Sequence, residues 1–317
     1  MNILVLGARG FIGKHLCSAL VAANYKVRGF DLQPVNAIWP EIHGVEWMAG
    51  NFENASDLAA ALDKIDLVFH LISTTIPKTS NENPILDLQQ NVVGTLNLLD
   101  LVIKQPQCPR LIFLSSGGTV YGIPYTIPIS EEHPTNPLSA YGITKLAIEK
   151  YLALYAYLYK LDYRVLRLAN PYGEFQSHLS GQGVIAAFVH KALQHQPVEI
   201  WGDGTIVRDY LYIGDVISAM ISLIGYDGPE RIFNIGGGGG HSILELLSVI
   251  KGLLQYDIVS YHLSSRPCDV PVNVLDINRA TSILGWKPTT PLHEGIKRVI
   301  DYQRTANALS NDNLPNN

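Results

Sequence analysis

The chain has 317 residues, 47% of them hydrophobic and 16% charged, which is enough for a large core and too much for one minimal domain. A net charge of -5 with a pI near 6.0 excludes the basic field that nucleic acid or an anionic membrane surface selects, and the longest apolar stretches, such as 216–224, are too short to cross a bilayer. Cys17, Cys108 and Cys268 form no Cys-x-x-Cys pair and the ten histidines no His-Glu-x-x-His array, so neither a disulfide framework nor a metal site is indicated.

A strand pattern begins at residue 2 without a basic leader or cleavage site, which predicts a soluble cytoplasmic protein. The first strand, 3–6, runs directly into Gly7-Ala8-Arg9-Gly10-Phe11-Ile12-Gly13 and then a helical pattern over 12–23. Glycines at this spacing permit a tight turn and let the backbone approach a pyrophosphate at the helix N-terminus. The second strand, 26–30, ends at Asp31, where a carboxylate can accept hydrogen bonds from the adenosine ribose and repel a 2′-phosphate. NAD is therefore expected rather than NADP, with Arg9 as the complication, since a guanidinium near the loop can contact a phosphate. Further strands follow at 45–48, 67–71, 111–115 and 163–168, separated by helical patterns at 55–62, 86–103 and 140–160. Such alternation predicts an α/β fold, a doubly wound parallel sheet with right-handed crossovers. After about residue 170 the rhythm breaks into loops and shorter helices. The expected division is a dinucleotide-binding Rossmann domain over 1–168 with return segments near 212–236, a smaller α/β substrate lobe over 169–305, and a polar, frayed tail over 306–317.

Tyr141 and Lys145 are four residues apart on the helical pattern at 140–160, so phenol and ammonium project from one face. A free tyrosine titrates near ~10 and is a poor base at neutral pH; a neighbouring ammonium favours the phenolate, which makes proton abstraction from an alcohol feasible.

Taken together, Gly7-x-x-Gly10-x-x-Gly13, Asp31, Asn91-Val92-Val93-Gly94-Thr95, Ser115-Ser116, Tyr141-x-x-x-Lys145 and Asn170-Pro171-Tyr172-Gly173 resemble the extended short-chain dehydrogenase/reductase family. Within it the chain is most similar to the nucleotide-sugar epimerases of the UDP-glucose 4-epimerase type, over about residues 1–300. The resemblance implies cofactor contacts at Phe11 and Ile12, at Asn51 and Phe52 after the third strand, and at Leu71 and Ile72 after the fourth. Asn51 departs from the family's usual aspartate, and Ile72-Ser73 from a small Ala-Ala or Ala-Gly pair. An amide still donates and accepts at the adenine. The resemblance also implies a catalytic hydroxyl after the fifth strand. Position 117, three before Val120-Tyr121-Gly122, is glycine, so Ser116 is the match and Thr119 the second choice. Dehydratases and decarboxylases of the family carry an acid in this turn; Gly117, Gly118 and Thr119 supply none, which favours epimerisation.

In the second half the resemblance implies UDP-sugar binding. Asn170 follows the sixth strand, and Gln182 and Val184 open a helix whose first amides suit a phosphate. Arg208 and Arg266 offer two guanidiniums to the diphosphate, and Asp269 a carboxylate to the uridine ribose. Asn273 stands where epimerases restricted to glucose and galactose carry a bulky tyrosine, which implies that N-acetylhexosamines are accepted too. The glycines at 236–240 before Ser242 and Glu245 read as a flexible turn and helix start, with His241 structural. Tyr151, Tyr155 and Tyr159 form an aromatic stripe; family dimers pack this helix with the 86–103 helix, which implies a homodimer and an interface role for part of the stripe. A net nucleotide-sugar reductase or dehydrogenase with dissociable cofactor is the alternative on the same fold. A non-catalytic NAD-sensing protein is the other, and loss of Tyr141 or Lys145 would be its signature; both residues are present.

Overall fold

The computed structural model describes residues 1–33, 42–179, 182–265 and 270–312. Its first half is built from β1 (Asn2–Leu6), α1 (Phe11–Ala22), β2 (Lys26–Asp31), β3 (Val45–Ala49), α2 (Ala55–Ala61), β4 (Leu67–His70), α3 (Pro77–Glu82) and α4 (Pro84–Asp87). A π-helical stretch (Leu88–Val93) leads into α5 (Gly94–Val102), followed by β5 (Arg110–Ser116), α6 (Ala140–Tyr159) and β6 (Tyr163–Leu168). The second half comprises β7 (Asn170–Tyr172), α7 (Val184–Leu193), β8 (Val198–Trp201), β9 (Val207–Arg208), β10 (Tyr210–Tyr212), α8 (Ile213–Ser222) and β11 (Ile232–Ile235). It ends with β12 (His241–Ser242), α9 (Ile243–Leu254), β13 (Ser260–Leu263), β14 (Val272–Asn273), α10 (Asn278–Leu284) and α11 (Leu292–Asp312).

One seven-stranded parallel sheet, ordered β11-β6-β5-β4-β1-β2-β3, dominates the molecule. Ile3, Leu4, Val5 and Leu6 are completely buried because helices cover both faces, the condition under which parallel strands read as unbroken apolar runs. One core lies between the sheet and α1, α7, α8, α9 and α11; the other lies under α2, α5 and α6. Strand order reverses between β1 and β4, so a crevice opens at the carboxyl ends there, the usual ligand position in doubly wound sheets. Three small sheets, β10-β7, β12-β9-β14 and β13-β8, cap that end.

Three expectations change. The helix expected over 86–103 is broken into α4, the π turn and α5. Here side chains compete with the backbone ladder: Asn91 Nδ2 donates to the Asp87 carbonyl (3.0 Å) and Thr95 Oγ1 to the Asn91 carbonyl (2.6 Å). The tail expected from residue 306 is helical through Asp312. Ile296, Val299, Ile300 and Gln303 anchor α11 on the core, and extending an anchored helix adds one hydrogen bond per residue fixed. Residues 313–317 lie outside the described residues. The glycines at 236–240 are packed at both ends of the run and open in its middle: a Cβ on Gly236 would meet Asp209 Oδ2 at 2.3 Å, one on Gly237 the Tyr210 carbonyl at 2.3 Å and one on Gly240 the Val207 side chain at 2.5 Å, while nothing lies within 4 Å of one on Gly239. Ser242 and Glu245 then form a capping box that opens α9.

Candidate active site

The loop after β1 forms a closed cradle. Gly7 takes φ +85°, and Gly10 N donates back to its carbonyl (3.1 Å). A Cβ on Gly13 would lie 2.1 Å from the Gly7 carbonyl, so only glycine lets α1 begin this close to the turn. No side chain caps α1 at Gly10, which leaves the first amides of that helix for an anion. Asp31, at the end of β2, receives Arg9 N on Oδ2 (2.9 Å) and Leu32 N on Oδ1 (2.8 Å). The Arg9 guanidinium lies over the Trp47 ring, 5.2 Å from its centroid. A dinucleotide's pyrophosphate and ribose fit this cradle in size and donor sense. Phe11 stands edge-on to His15 and Ile12 packs on the core at the same turn. The Asn51 amide oxygen accepts from Glu53 N (2.9 Å). The Phe52 ring is buried beside His70, under Gly94. Leu71 N is tied to the Leu6 carbonyl (3.0 Å), and Ile72 N lies 3.3 Å from where a Gly7 Cβ would stand.

Tyr141 and Lys145 lie on the first turns of α6, whose start is held from three sides. Ser139 accepts from Gly142 N (3.1 Å), Ser80 from Tyr141 N (3.0 Å) and Asn81 from Ala140 N (2.8 Å). Gly142 allows α6 to press against the turn after β5, since a Cβ there would meet the Thr119 carbonyl at 2.9 Å. Lys145 Nζ donates to the Leu114 carbonyl (3.0 Å) and lies 5.6 Å from the Tyr141 ring centroid and 4.9 Å from that of Phe113. Ser116 closes β5, two residues beyond that carbonyl, and its own carbonyl accepts Val120 N (3.1 Å) to fold the turn. The Ser116 hydroxyl is partly exposed and has no protein partner among the described residues, whereas Ser115 Oγ is spent on Glu149 (2.5 Å). Thr119 Oγ1 is enclosed without a partner.

The electrostatics depart from the simple expectation for a Tyr-Lys pair. Burial pushes the Tyr141 phenol up to about 12; a hydrogen bond from Ser73 works downward and the charge of Asp87 upward. Burial lowers Lys145 to about 8, opposed by the charges of Asp87 and Glu149. With protein groups alone around it, the pair at neutral pH is therefore phenol and ammonium. Desolvation outweighs the ammonium's pull on the phenolate.

On the substrate side, Asn170 Nδ2 donates to the Asp209 carbonyl (3.0 Å), so its amide oxygen is what it can offer a ligand. Gln182 precedes α7, which starts at Val184 behind Gly183 at φ +88° with no side-chain cap. Arg208 NH1 donates to the Val207 (2.9 Å) and Val270 (2.5 Å) carbonyls, which fixes the guanidinium beside β14. Asn273 is buried rather than lining open space. Its Nδ2 donates to the Gly117 carbonyl (3.2 Å) in the turn after Ser116, and its Oδ1 is enclosed without a donor. Arg266 and Asp269 lie outside the described residues. Residues that motif reasoning missed are Ser73, Ser80, Asn81, Asp87 and Thr144. The signal for Asp87 was a polar stripe at helical spacing, Asn83, Asp87, Asn91 and Thr95, inside an otherwise apolar pattern; the other four have no pattern in the sequence.

Comparison with known proteins fits this geometry. A family model described as NAD dependent epimerase/dehydratase family matches residues 3–236. A UDP-glucose 4-epimerase of Mycolicibacterium smegmatis is 36% identical over 314 residues, 96% of this chain and 99% of that protein. The crystal structure of UDP-glucose 4-epimerase with UDP-glucose from Thermotoga maritima superposes with a TM-score of 0.92 at 34% identity, covering 96% of this chain and 99% of that one. The Thermus thermophilus UDP-glucose 4-epimerase complex with NAD gives a TM-score of 0.89 at 32% identity, covering 96% and 100%.

Proposed function

The chain belongs to the NAD dependent epimerase/dehydratase family, and from that premise we propose that it is an isomerase inverting C4 of a UDP-sugar with NAD as its cofactor. The carrying observation is that Lys145 lies 5.6 Å from the Tyr141 ring and bonds the Leu114 carbonyl, two residues before the unpartnered Ser116 hydroxyl, while the turn at Gly117-Gly118-Thr119 holds no acid. Elimination or decarboxylation chemistry needs such an acid; a reversible exchange of hydride and one proton does not. NAD, when bound, supplies the acceptor and donor of the C4 hydride and a positive ring whose field favours the phenolate. Tyr141 takes the proton of the C4 hydroxyl and returns it after the sugar has turned its other face. Lys145 holds its positive charge near that oxygen, and Ser116 bonds the reacting oxygen; its accessibility favours it over the enclosed Thr119.

Residues 1–168 with the return at 212–236 hold the cofactor in this reading, and 169–305 the nucleotide sugar. Gly7, Gly10, Phe11, Ile12, Gly13, Asp31, Asn51, Phe52 and Leu71 face NAD. Asn170, Gln182, Val184 and Arg208 face UDP, and Arg266 and Asp269, outside the described residues, are assigned to the same ligand. Asn273, much smaller than the tyrosine of epimerases restricted to glucose and galactose, extends the proposal to N-acetylhexosamine forms. Among the described residues no helix is long and apolar enough to cross a membrane, and the proposed location is the cytoplasm. The proposed assembly is a homodimer. Ile85 (70% exposed), Leu86, Leu88 and Val93 on one side and Tyr151, Leu154, Tyr157 (78%) and Leu158 of α6 on the other are exposed apolar side chains on elements that pack together, and a second copy would cover them.

The decisive experiment incubates the purified protein with UDP-glucose or UDP-N-acetylglucosamine, without added cofactor, and follows the sugar by anomeric NMR and mass. Conversion to the 4-epimers at constant mass is expected. A product two mass units lighter or heavier, or a strict need for added cofactor, would instead mark a net dehydrogenase or reductase. A wild type blind to acetamido sugars removes the extension drawn from Asn273.

A further inference from the structure

Asp87 is completely buried where α4 passes into the π turn, and among the described residues it has no ion-pair partner. Its carboxylate is surrounded by donors. It accepts from the hydroxyls of Thr75 and Thr144 and from Asn91 Nδ2 at 3.1 Å. The Asn91 amide cannot be turned the other way, because its Oδ1 is occupied by Thr74 N at 3.0 Å. Three donors and no acceptor fit an ionised carboxylate. A buried anion with only neutral partners is costly, which makes its presence informative.

The two hydroxyls belong to the two segments that hold the catalytic phenol. Thr144 lies directly before Lys145 and three residues after Tyr141, on α6. Thr75 lies two residues beyond Ser73, whose hydroxyl faces the phenol and donates to the Thr75 carbonyl (3.1 Å). One carboxylate thus draws the Ser73 loop, the π turn and α6 together. The other charged or titratable groups facing the pair are Glu149 of α6, already bonded to Arg167 of β6 (2.7 Å), and His70 of β4, bonded to Thr95 (2.9 Å) and held uncharged by burial.

We propose that Asp87 is a positioning residue for the Tyr141–Lys145 pair and that its fixed negative charge sets the pH window in which that pair works. The sign is unambiguous. Removing an anion makes every nearby group release its proton more readily, phenol and ammonium alike. Both limbs of the pH–rate curve therefore move to lower pH in Asp87→Asn, by about one unit for one charge at short range. A carboxylate that served packing alone would lower the rate and leave the limbs in place. Thr144→Val removes the bond that ties the carboxylate to α6, so the charge acts on the pair from a looser position and the limbs move the same way by less.

The proposal rests on the epimerase reading, and two measurements on the NAD-loaded protein keep their failures apart. The first is the pH dependence of kcat for UDP-sugar epimerisation in wild type, Asp87→Asn and Thr144→Val. The second, free of substrate, is the phenolate absorbance titration of each protein against the same protein carrying Tyr141→Phe. Acidward shifts in both support the proposal. Superimposable titrations in Asp87→Asn overturn it, whatever the rate. If Asp87→Asn yields no folded protein, Thr144→Val decides, and an unmoved titration there overturns it equally. A wild type without epimerase activity sinks the functional reading alone, since the phenolate titration still gives its answer.

Discussion

On the cofactor side, seven parallel strands bury both faces, and the critical contact is a glycine whose every substituent is forbidden by backbone 2.1 Å away. On the substrate side, two of the three small sheets, β10-β7 and β12-β9-β14, meet at one buried acid. Asp209 N donates to the Asn273 carbonyl (3.0 Å), and its own carbonyl receives Asn170 N (2.9 Å). Its side chain receives Gly237 N (2.5 Å) and Leu275 N (3.2 Å). The first region is held by apolar area spread over many residues, and no single polar bond decides it. The second is held by a knot of backbone bonds to one buried side chain, where losing a single partner strands several others. Apolar layers tolerate conservative change one residue at a time, while a polar knot makes its loops respond together and to pH.

The largest effect should fall between the two regions. Tyr141→Phe is expected to lower kcat by about 10³- to 10⁴-fold while UDP affinity stays near wild type, because the lost group handles only the proton. Ser116→Ala should cost about 10²-fold as one positioned hydrogen bond. Retained activity there, with loss in Thr119→Val, would move the role to Thr119.

Gly13→Ala should strip the first region of its ligand and leave the second intact. Protein purified from this variant is expected to carry less than about a tenth of the wild-type NAD, yet to bind UDP normally by calorimetry. Full NAD occupancy would show that the cradle can yield, and the contrast drawn above would fail.

Asp209→Asn should do the reverse. Burial pushes the Asp209 carboxyl up to about 6, above its unfolded value, so the folded state holds its proton more tightly than the unfolded chain. Its charge therefore costs nothing at low pH and progressively more as pH rises between about 4 and 6, by roughly 3 kcal/mol in all for about two pKa units. Wild type should lose that much unfolding free energy over the interval relative to Asp209→Asn, as read by urea titrations. Parallel pH dependences would remove the penalty. Arg208→Ala is the smallest change, expected to weaken UDP-sugar binding about tenfold and to alter kcat less. Unchanged affinity would take the diphosphate away from Arg208.

The same contrast explains what could be read in the sequence. Gly7, Gly10, Gly13, Asp31 and the apolar strand runs are local signals, and the structure returns the six strands at 3–168 with ends shifted by at most a residue or so. Asp209 and Asp87 are not local. Each looks like an ordinary surface acid until Gly237, Leu275, Thr75 and Thr144 arrive from distant segments. The lowered phenol pKa expected from Lys145 failed for a related reason, since spacing reveals the neighbour and not the burial of both groups. The burial of Asn273 was not legible either, since its amide donates to Gly117, 156 residues away along the chain.

The caps of α6 bear on the order in which the chain folds. Gly142 N is bonded by Ser139, three residues away, and can be satisfied as soon as the helix forms. Ala140 N and Tyr141 N wait for Asn81 and Ser80, which are 59 and 61 residues away along the chain, so a long loop must close first. The helix can exist before Tyr141 is in place. Pulse-labelled hydrogen exchange during refolding should protect the amides of Ala140 and Tyr141 later than that of Gly142, and simultaneous protection would contradict this. Final seating of the reactive phenol then belongs to the last stage of folding.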